Sequence, residues 1–378
     1  MITSFDDIRP YNNSEIPAAV HRLFDSEEAA AKMRGLFPWA DIEKLKTEID
    51  DIGTSNQFQH VVMTQLIASV IRGSSLGFTY SGLENVQGKM PCLFVSNHRD
   101  IVLDAMLLQY VFLVEDLNTC HIAFGDNLMF DGFFKDFWKV NKMFQMSRGG
   151  HLKSFYASLM HVSEYIRYLI TERGENVWIA QHNGRAKNGI DVTDSALIKM
   201  FGMSKRDDRV ASLTELNIVP VTVSYEWEPC DKLKAVEVCI SLHQKYEKQP
   251  GEDLNSVLTG MTQPKGRVHF HMSPAITKEE MNALDKGLSA LFHKRVAELI
   301  DERIYSAYRL YPNNYIAHDL LCGTEEYANQ YTAEEKARFL HYMSWMEAYP
   351  QLDREELERI FLGIYANPID HYNKVKSR

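Results

Sequence analysis

The chain lacks any apolar stretch of the roughly 18 residues that a membrane-crossing helix requires. Even residues 61–71 are broken by Thr64, Gln65 and Ser69. A lipid bilayer would therefore be approached from one side only. The first eight residues have neither a basic flank nor an apolar run, so a secretory leader is not expected. Cysteine is scarce and unpatterned: Cys92, Cys120, Cys230, Cys239 and Cys322 are odd in number and show no CxxC spacing. That argues against a disulfide framework and against a zinc site, and it fits a reducing cytoplasm. A basic excess is absent too. With 41 Lys and Arg against 51 Asp and Glu, the formal net charge is −10, so no nucleic-acid partner is expected. Internal repeats and low-complexity tracts are missing.

What is present is the composition of a packed protein. The 378 residues are 45% hydrophobic and 24% charged, enough for one large domain with additions. Residues 1–75 read as helical, with Ile16, Ala19, Val20, Leu23 and Phe24 at helical intervals and a further helical run over 42–52. Turn residues Gly73-Ser74-Ser75 and Gly82 close that region. From there to about residue 275 the rhythm changes. Short β-prone runs at 91–96, 120–124, 176–180 and 217–224 alternate with helical stretches at 103–112 and 152–173. Such alternation predicts an α/β fold, a mostly parallel sheet flanked by helices. The runs 235–242 and 267–273 are expected to extend or edge the sheet. Residues 276–378 read as a second helical addition, in which Thr277-Lys-Glu-Glu280 and Thr332-Ala-Glu-Glu335 have capping-box spacing. Asp353-Arg-Glu-Glu356 is a third helix start, and the tail from about 325 reads as a small helical appendage.

The segment Ser96-Asn97-His98-Arg99-Asp100-Ile101-Val102-Leu103-Asp104 follows an apolar strand and leads into an apolar helical run. His98 should thus sit at the carboxyl end of a strand, where parallel sheets bind ligands. An imidazole titrates near neutrality and can take a proton from a hydroxyl. A carboxylate a turn later can hold its other nitrogen. Asp104 is the first candidate and Asp100 the second. Asn97 either orients the histidine loop or donates to an oxyanion.

With three later blocks this segment resembles the glycerolipid acyltransferases, the family of glycerol-3-phosphate and 1-acylglycerol-3-phosphate O-acyltransferases. That family carries a histidine and an aspartate separated by four residues. An Arg-containing block follows, then Glu-Gly-x-Arg after a strand, then an apolar strand with proline. Here the matching elements are His98 with Asp104, residues 143–150 with Arg148, residues 177–185 ending Asn183-Gly184-Arg185, and residues 218–223 with Pro220. Two departures stand out: five residues separate His98 from Asp104, and the third block reads Asn183-Gly184-Arg185, lacking both the glutamate and one spacer residue. Asparagine keeps hydrogen-bonding capacity but loses the charge.

The resemblance implies a fatty-acyl transfer from a thioester to the hydroxyl of a lysophospholipid-like acceptor, with 1-acyl-sn-glycerol-3-phosphate first in line, as a step of phospholipid biosynthesis. Acyl-CoA or acyl-carrier protein would be the co-substrate, with no cofactor and no metal. His98 would be the general base. Arg148 and Arg185 would grip the acceptor's anionic group, Gly184 and Asn183 would shape the site, and Lys187 would add charge. The protein would work as a peripheral membrane protein on the cytoplasmic face. A lyso-amino-acid lipid is the alternative acceptor, and a catalytically silent lipid-binding protein of this fold is the rival reading. The aromatic run 130–140, interleaved with lysines, suits either a lipid interface or, more often, core packing. His98-Arg99-Asp100 lacks the Gly-rich loop and Asp-Phe-Gly companions of a kinase. His269 and His271 share one strand face without a third metal ligand.

Overall fold

The computed structural model describes residues 4–128, 132–147, 149 and 152–377. Seven strands form one sheet: β1 (Ser75–Ser81), β2 (Leu93–Ser96), β3 (Cys120–Gly125), β4 (Met143–Met146), β5 (Asn176–Ala180), β6 (Ile218–Tyr225) and β7 (Gly266–Met272). Their spatial order is β1-β7-β6-β2-β5-β3-β4. The five strands from β6 to β4 run parallel, while β7 pairs antiparallel with β6 and parallel with β1. The expected mostly parallel sheet with helices on both faces and at both termini is what forms.

The central strand β2 is buried along its whole length, and its side chains alternate between two cores. Phe94 faces a core built with the N-terminal helices, whereas Leu93 and Val95 face one built with the 152–171 and 289–306 helices. A fully apolar strand of this kind is the mark of a sheet covered on both sides. The aromatic stretch is core as well: Phe133, Phe137 and Trp138 of the Phe133–Val140 helix are buried. Phe130 lies outside the described residues.

Two expectations need correcting. Residues 235–242 add no strand; they lie in the helix Asp231–His243. Its Ala235 and Cys239, one turn apart, are buried with the helix Arg354–Lys376, so the helical period governs and β propensity does not. Nor does residue 75 end the N-terminal region in a turn. The helix Thr64–Ser74 passes directly into β1, an edge strand with only partial burial. Phe78 anchors that strand against Tyr110 and Phe270.

Both capping boxes form, at Thr277–Glu280 and Thr332–Glu335, and the Asp353 side chain accepts from the Glu356 amide. The chain beyond 325 is no loose appendage. Tyr365 of the last helix donates to the buried Asp231 at 2.6 Å and accepts from the Glu228 amide, tying that helix to the end of the sheet. Among the described residues, no helix is long and apolar enough to cross a membrane.

Candidate active site

At the end of β2 the chain turns into the helix Leu103–Val114, and this turn carries Asn97, His98 and Asp100, with Asp104 in the first turn of the helix. Asn97 is fully buried and clamps β2 to β6. Its amide donates to the Val223 carbonyl at 3.0 Å and accepts from the Val223 amide at 2.8 Å. It also approaches Asp191 at 3.3 Å. These bonds use the side chain to orient the loop. His98 follows, its side chain 9% exposed, with Nδ1 3.1 Å from Asp104 Oδ2. Among the described residues its Nε2 has no hydrogen-bond partner. The Trp178 ring stands edge-on to the imidazole at 5.9 Å between centroids.

Asp104 is completely buried and saturated with donors. Besides His98, Oδ2 accepts from the amides of Arg99 at 2.6 Å and Asp100 at 2.8 Å, and Oδ1 accepts from the Tyr225 hydroxyl at 2.8 Å. The two loop amides are therefore committed to the carboxylate and are not free to serve an oxyanion.

Asp100 does something else. Its Oδ1 accepts from the amides of Val102 and Leu103, at 3.0 and 2.8 Å, capping the first turn of the helix. Its Oδ2 is buried against Gly260, where a Cβ would come within 2.0 Å. Burial, then the neighbouring Asp104, pushes the Asp100 carboxyl above the usual range. Of the two candidate carboxylates, Asp104 is the one brought to the histidine, and the extra residue of spacing is absorbed in this cap.

The 181–194 loop lies beside this turn. The Gln181 amide donates to the Ser96 carbonyl at 2.8 Å and the Ala186 amide to the His98 carbonyl at 2.7 Å, so the two loops are hydrogen-bonded together. Gly184 has φ +76°, a conformation that glycine adopts at little cost. Arg185 donates through Nη2 to Ser256 at 2.9 Å, and its buried Nη1 has no partner among the described residues. Asn183 is exposed. Lys187 is not free to add charge to the site, because its ammonium pairs with Glu237. Arg148 lies outside the described residues.

Three participants escaped the sequence reading. The first is Tyr225, on Asp104. The second is His182, half-buried beside His98; burial, then the charge of His98, lowers its pKa. Counting back three residues from Arg185, His182 occupies the glutamate position of Glu-Gly-x-Arg, a register that places Asn183 on the glycine. The third is Arg99, whose guanidinium is buried among Asp191 at 2.5 Å, Glu228 at 3.5 Å and the Asp191-bound Tyr308. Lys234 completes the group, donating to Glu228 and to the Arg99 carbonyl at 2.6 Å each. Two buried cations thus face two buried anions, which keeps the interior near neutrality. No local spacing connects positions 99, 191, 228 and 234, so only folding reveals the cluster.

The remaining histidine pair is structural. Ser81 bridges His269 Nε2 and His271 Nδ1 at 3.1 and 2.9 Å, and no metal-ligating cluster occurs among the described residues.

Residues 77–224 match the model of the Acyltransferase family. A glycerol-3-phosphate acyltransferase of Alteromonas mediterranea is 29% identical over 178 residues, covering 45% of this chain. The chain spans only 20% of that relative's length. The crystal structure of the 1-acyl-sn-glycerophosphate (LPA) acyltransferase PlsC from Thermotoga maritima superposes with a TM-score of 0.37 at 11% identity, covering 76% of this chain and 91% of that one. The match to the Acyltransferase family model falls on the 77–224 segment, which holds His98, Asp104 and Arg185.

Proposed function

We propose that this protein transfers a fatty acyl group from a thioester, acyl-CoA or acyl-carrier protein, to the hydroxyl of a lysophospholipid-like acceptor. The observation that carries the reading is the His98–Asp104 pair at the carboxyl end of the central strand. Asp104 holds the Nδ1 proton, which leaves Nε2 as the base. His98 Nε2 takes the acceptor's hydroxyl proton as the oxygen attacks the thioester carbonyl. The tetrahedral oxyanion collapses, the C–S bond breaks, and the leaving thiolate recovers the proton from the imidazolium. General-base assistance of this type contributes about 10²- to 10⁴-fold.

Arg185, with one nitrogen unpartnered, is the described group suited to the acceptor's phosphate or carboxylate. The acceptor favoured is 1-acyl-sn-glycerol-3-phosphate, with the protein docked peripherally on the cytoplasmic face of the membrane. Glycerol-3-phosphate, the acceptor named for the Alteromonas protein, and lyso-amino-acid lipids belong in the same panel. The test is acyl transfer by purified protein, with both thioester carriers, against that panel in wild type and His98→Ala. Transfer by the wild type and a loss of at least about 10²-fold in the variant is the expected outcome. Acceptor binding without wild-type transfer would mean a catalytically silent lipid binder.

A further inference from the structure

We infer that Tyr225 is a positioning residue of the reaction, its hydroxyl fixing the Asp104 carboxylate and through it the His98 imidazole. The inference rests on the proposed role of His98. The Asp104 carboxylate is fully buried and uses Oδ2 for three donors: the imidazole and the amides of Arg99 and Asp100. Its other oxygen depends on the Tyr225 hydroxyl, 2.8 Å away. Without that donor, one oxygen of a buried carboxylate would be left unsatisfied, which costs enough to make the group turn or recruit water. Either response changes the line from Oδ2 to Nδ1.

Tyr225 is well placed to hold that line still. It is the last residue of β6, whose register against β2 pairs Ser96 with Val221. Asn97 then locks Val223 with two hydrogen bonds. Strand alternation puts Tyr225 on the same face as Val223, and both sit in the core that also holds Leu103. Burial, then the Asp104 charge, raises the phenol well above its usual range, so it remains a donor at every working pH. Asn97 therefore ties the turn to the β6 backbone, and Tyr225, two residues on from Val223, holds its carboxylate.

The test is Tyr225→Phe, which removes one oxygen and keeps the ring. Two readouts are needed. The nitrogen NMR spectrum of the His98 ring reports which nitrogen carries the proton and requires no turnover, so it stands even if the protein proves to be no acyltransferase. Wild type should show the Nδ1–H tautomer, and Tyr225→Phe should admit the Nε2–H form. With a competent acceptor, kcat should fall about 10-fold while KM stays within about 2-fold, because the change touches orientation of the base and not the acceptor's anionic group. An unchanged tautomer, or a kcat within about 2-fold of wild type, would overturn the inference. Should Tyr225→Phe fail to fold, 3-fluorotyrosine incorporated at 225 keeps the hydroxyl and alters only its donor strength. The ring nitrogen shifts must then respond, and their failure to do so overturns the inference equally.

Discussion

Two histidines of this protein lie near a carboxylate at opposite ends of the same sheet. At the carboxyl end of β2, His98 is hydrogen-bonded to Asp104 at 3.1 Å, and that carboxylate is held by three further donors. Near the start of β3, His121 Nε2 stands 3.7 Å from Glu175, which also draws the buried Lys142 to 3.7 Å. The first arrangement is directional, and among the described residues its ring keeps a nitrogen without a hydrogen-bond partner. The second is a looser meeting of charges, in which burial lowers the His121 pKa although Glu175 pulls it the other way. The partner types are alike, so what separates a candidate base from a structural pair is alignment and position in the sheet.

The largest effect that could break this contrast is on turnover. Asp104→Asn should cut acyl transfer by about 10²-fold or more, since an amide no longer enforces the Nδ1–H tautomer. Glu175→Gln should leave transfer within about 2-fold. Steady-state kinetics of both variants decides the matter, and equal losses would erase the distinction. A smaller effect sharpens the assignment within the His98 turn itself. Asp100→Ala removes the two amide contacts at the start of the 103–114 helix and should cost about 1 kcal/mol in a denaturant titration. Transfer should nevertheless survive far better than in Asp104→Asn; a comparable collapse would return Asp100 to candidacy.

The smallest effect concerns pH. The nearby His121 imidazole and the Lys142 charge outweigh burial and bring Glu175 down to about 2 from the ordinary 4.5. A carboxylate whose folded pKa is depressed stabilises the protein above its unfolded value, and that contribution drains away as pH falls from about 4.5 towards 2. Asp301 has the opposite sign. Burial raises it to about 7 despite two bonds from Thr193, so its contribution is present below about 4 and lost as pH rises through 7. Asp301→Asn should therefore flatten the dependence of Tm on pH between about 4 and 7, and Glu175→Gln should flatten it below 4.5. Each change should amount to about 2 °C or more in Tm. Melting curves across this range that superpose on wild type would show that neither group is perturbed as the geometry indicates.

The helix boundaries marked by Thr277, Thr332 and Asp353 were legible because capping is a local bargain between a side chain and an amide three residues on. Strands β2, β3, β5 and β6 were legible because strands buried on both faces read as apolar runs. Strand β1 was not, since an edge strand with Ser75, Gly77, Thr79 and Ser81 carries little such signal. Residues 235–242 misled for the converse reason: a run with Val236, Val238 and Ile240 was expected to extend the sheet, where the burial partner is another helix.

The order of residues along the chain determined by itself that an imidazole would stand at the end of a strand, with two acids close behind it. Which acid reaches the ring was decided only by the folded turn. Asp100 caps the helix, and Asp104 collects donors from its own turn and from Tyr225, 121 positions away. The same holds for Arg99, whose partners at 191 and 228 come from other segments, and for Lys187, spent on Glu237. Local spacing sets helices, caps and strand ends because those depend on near neighbours. The pairing of buried charges depends on which distant segments packing brings together, and no reading of adjacent residues contains that.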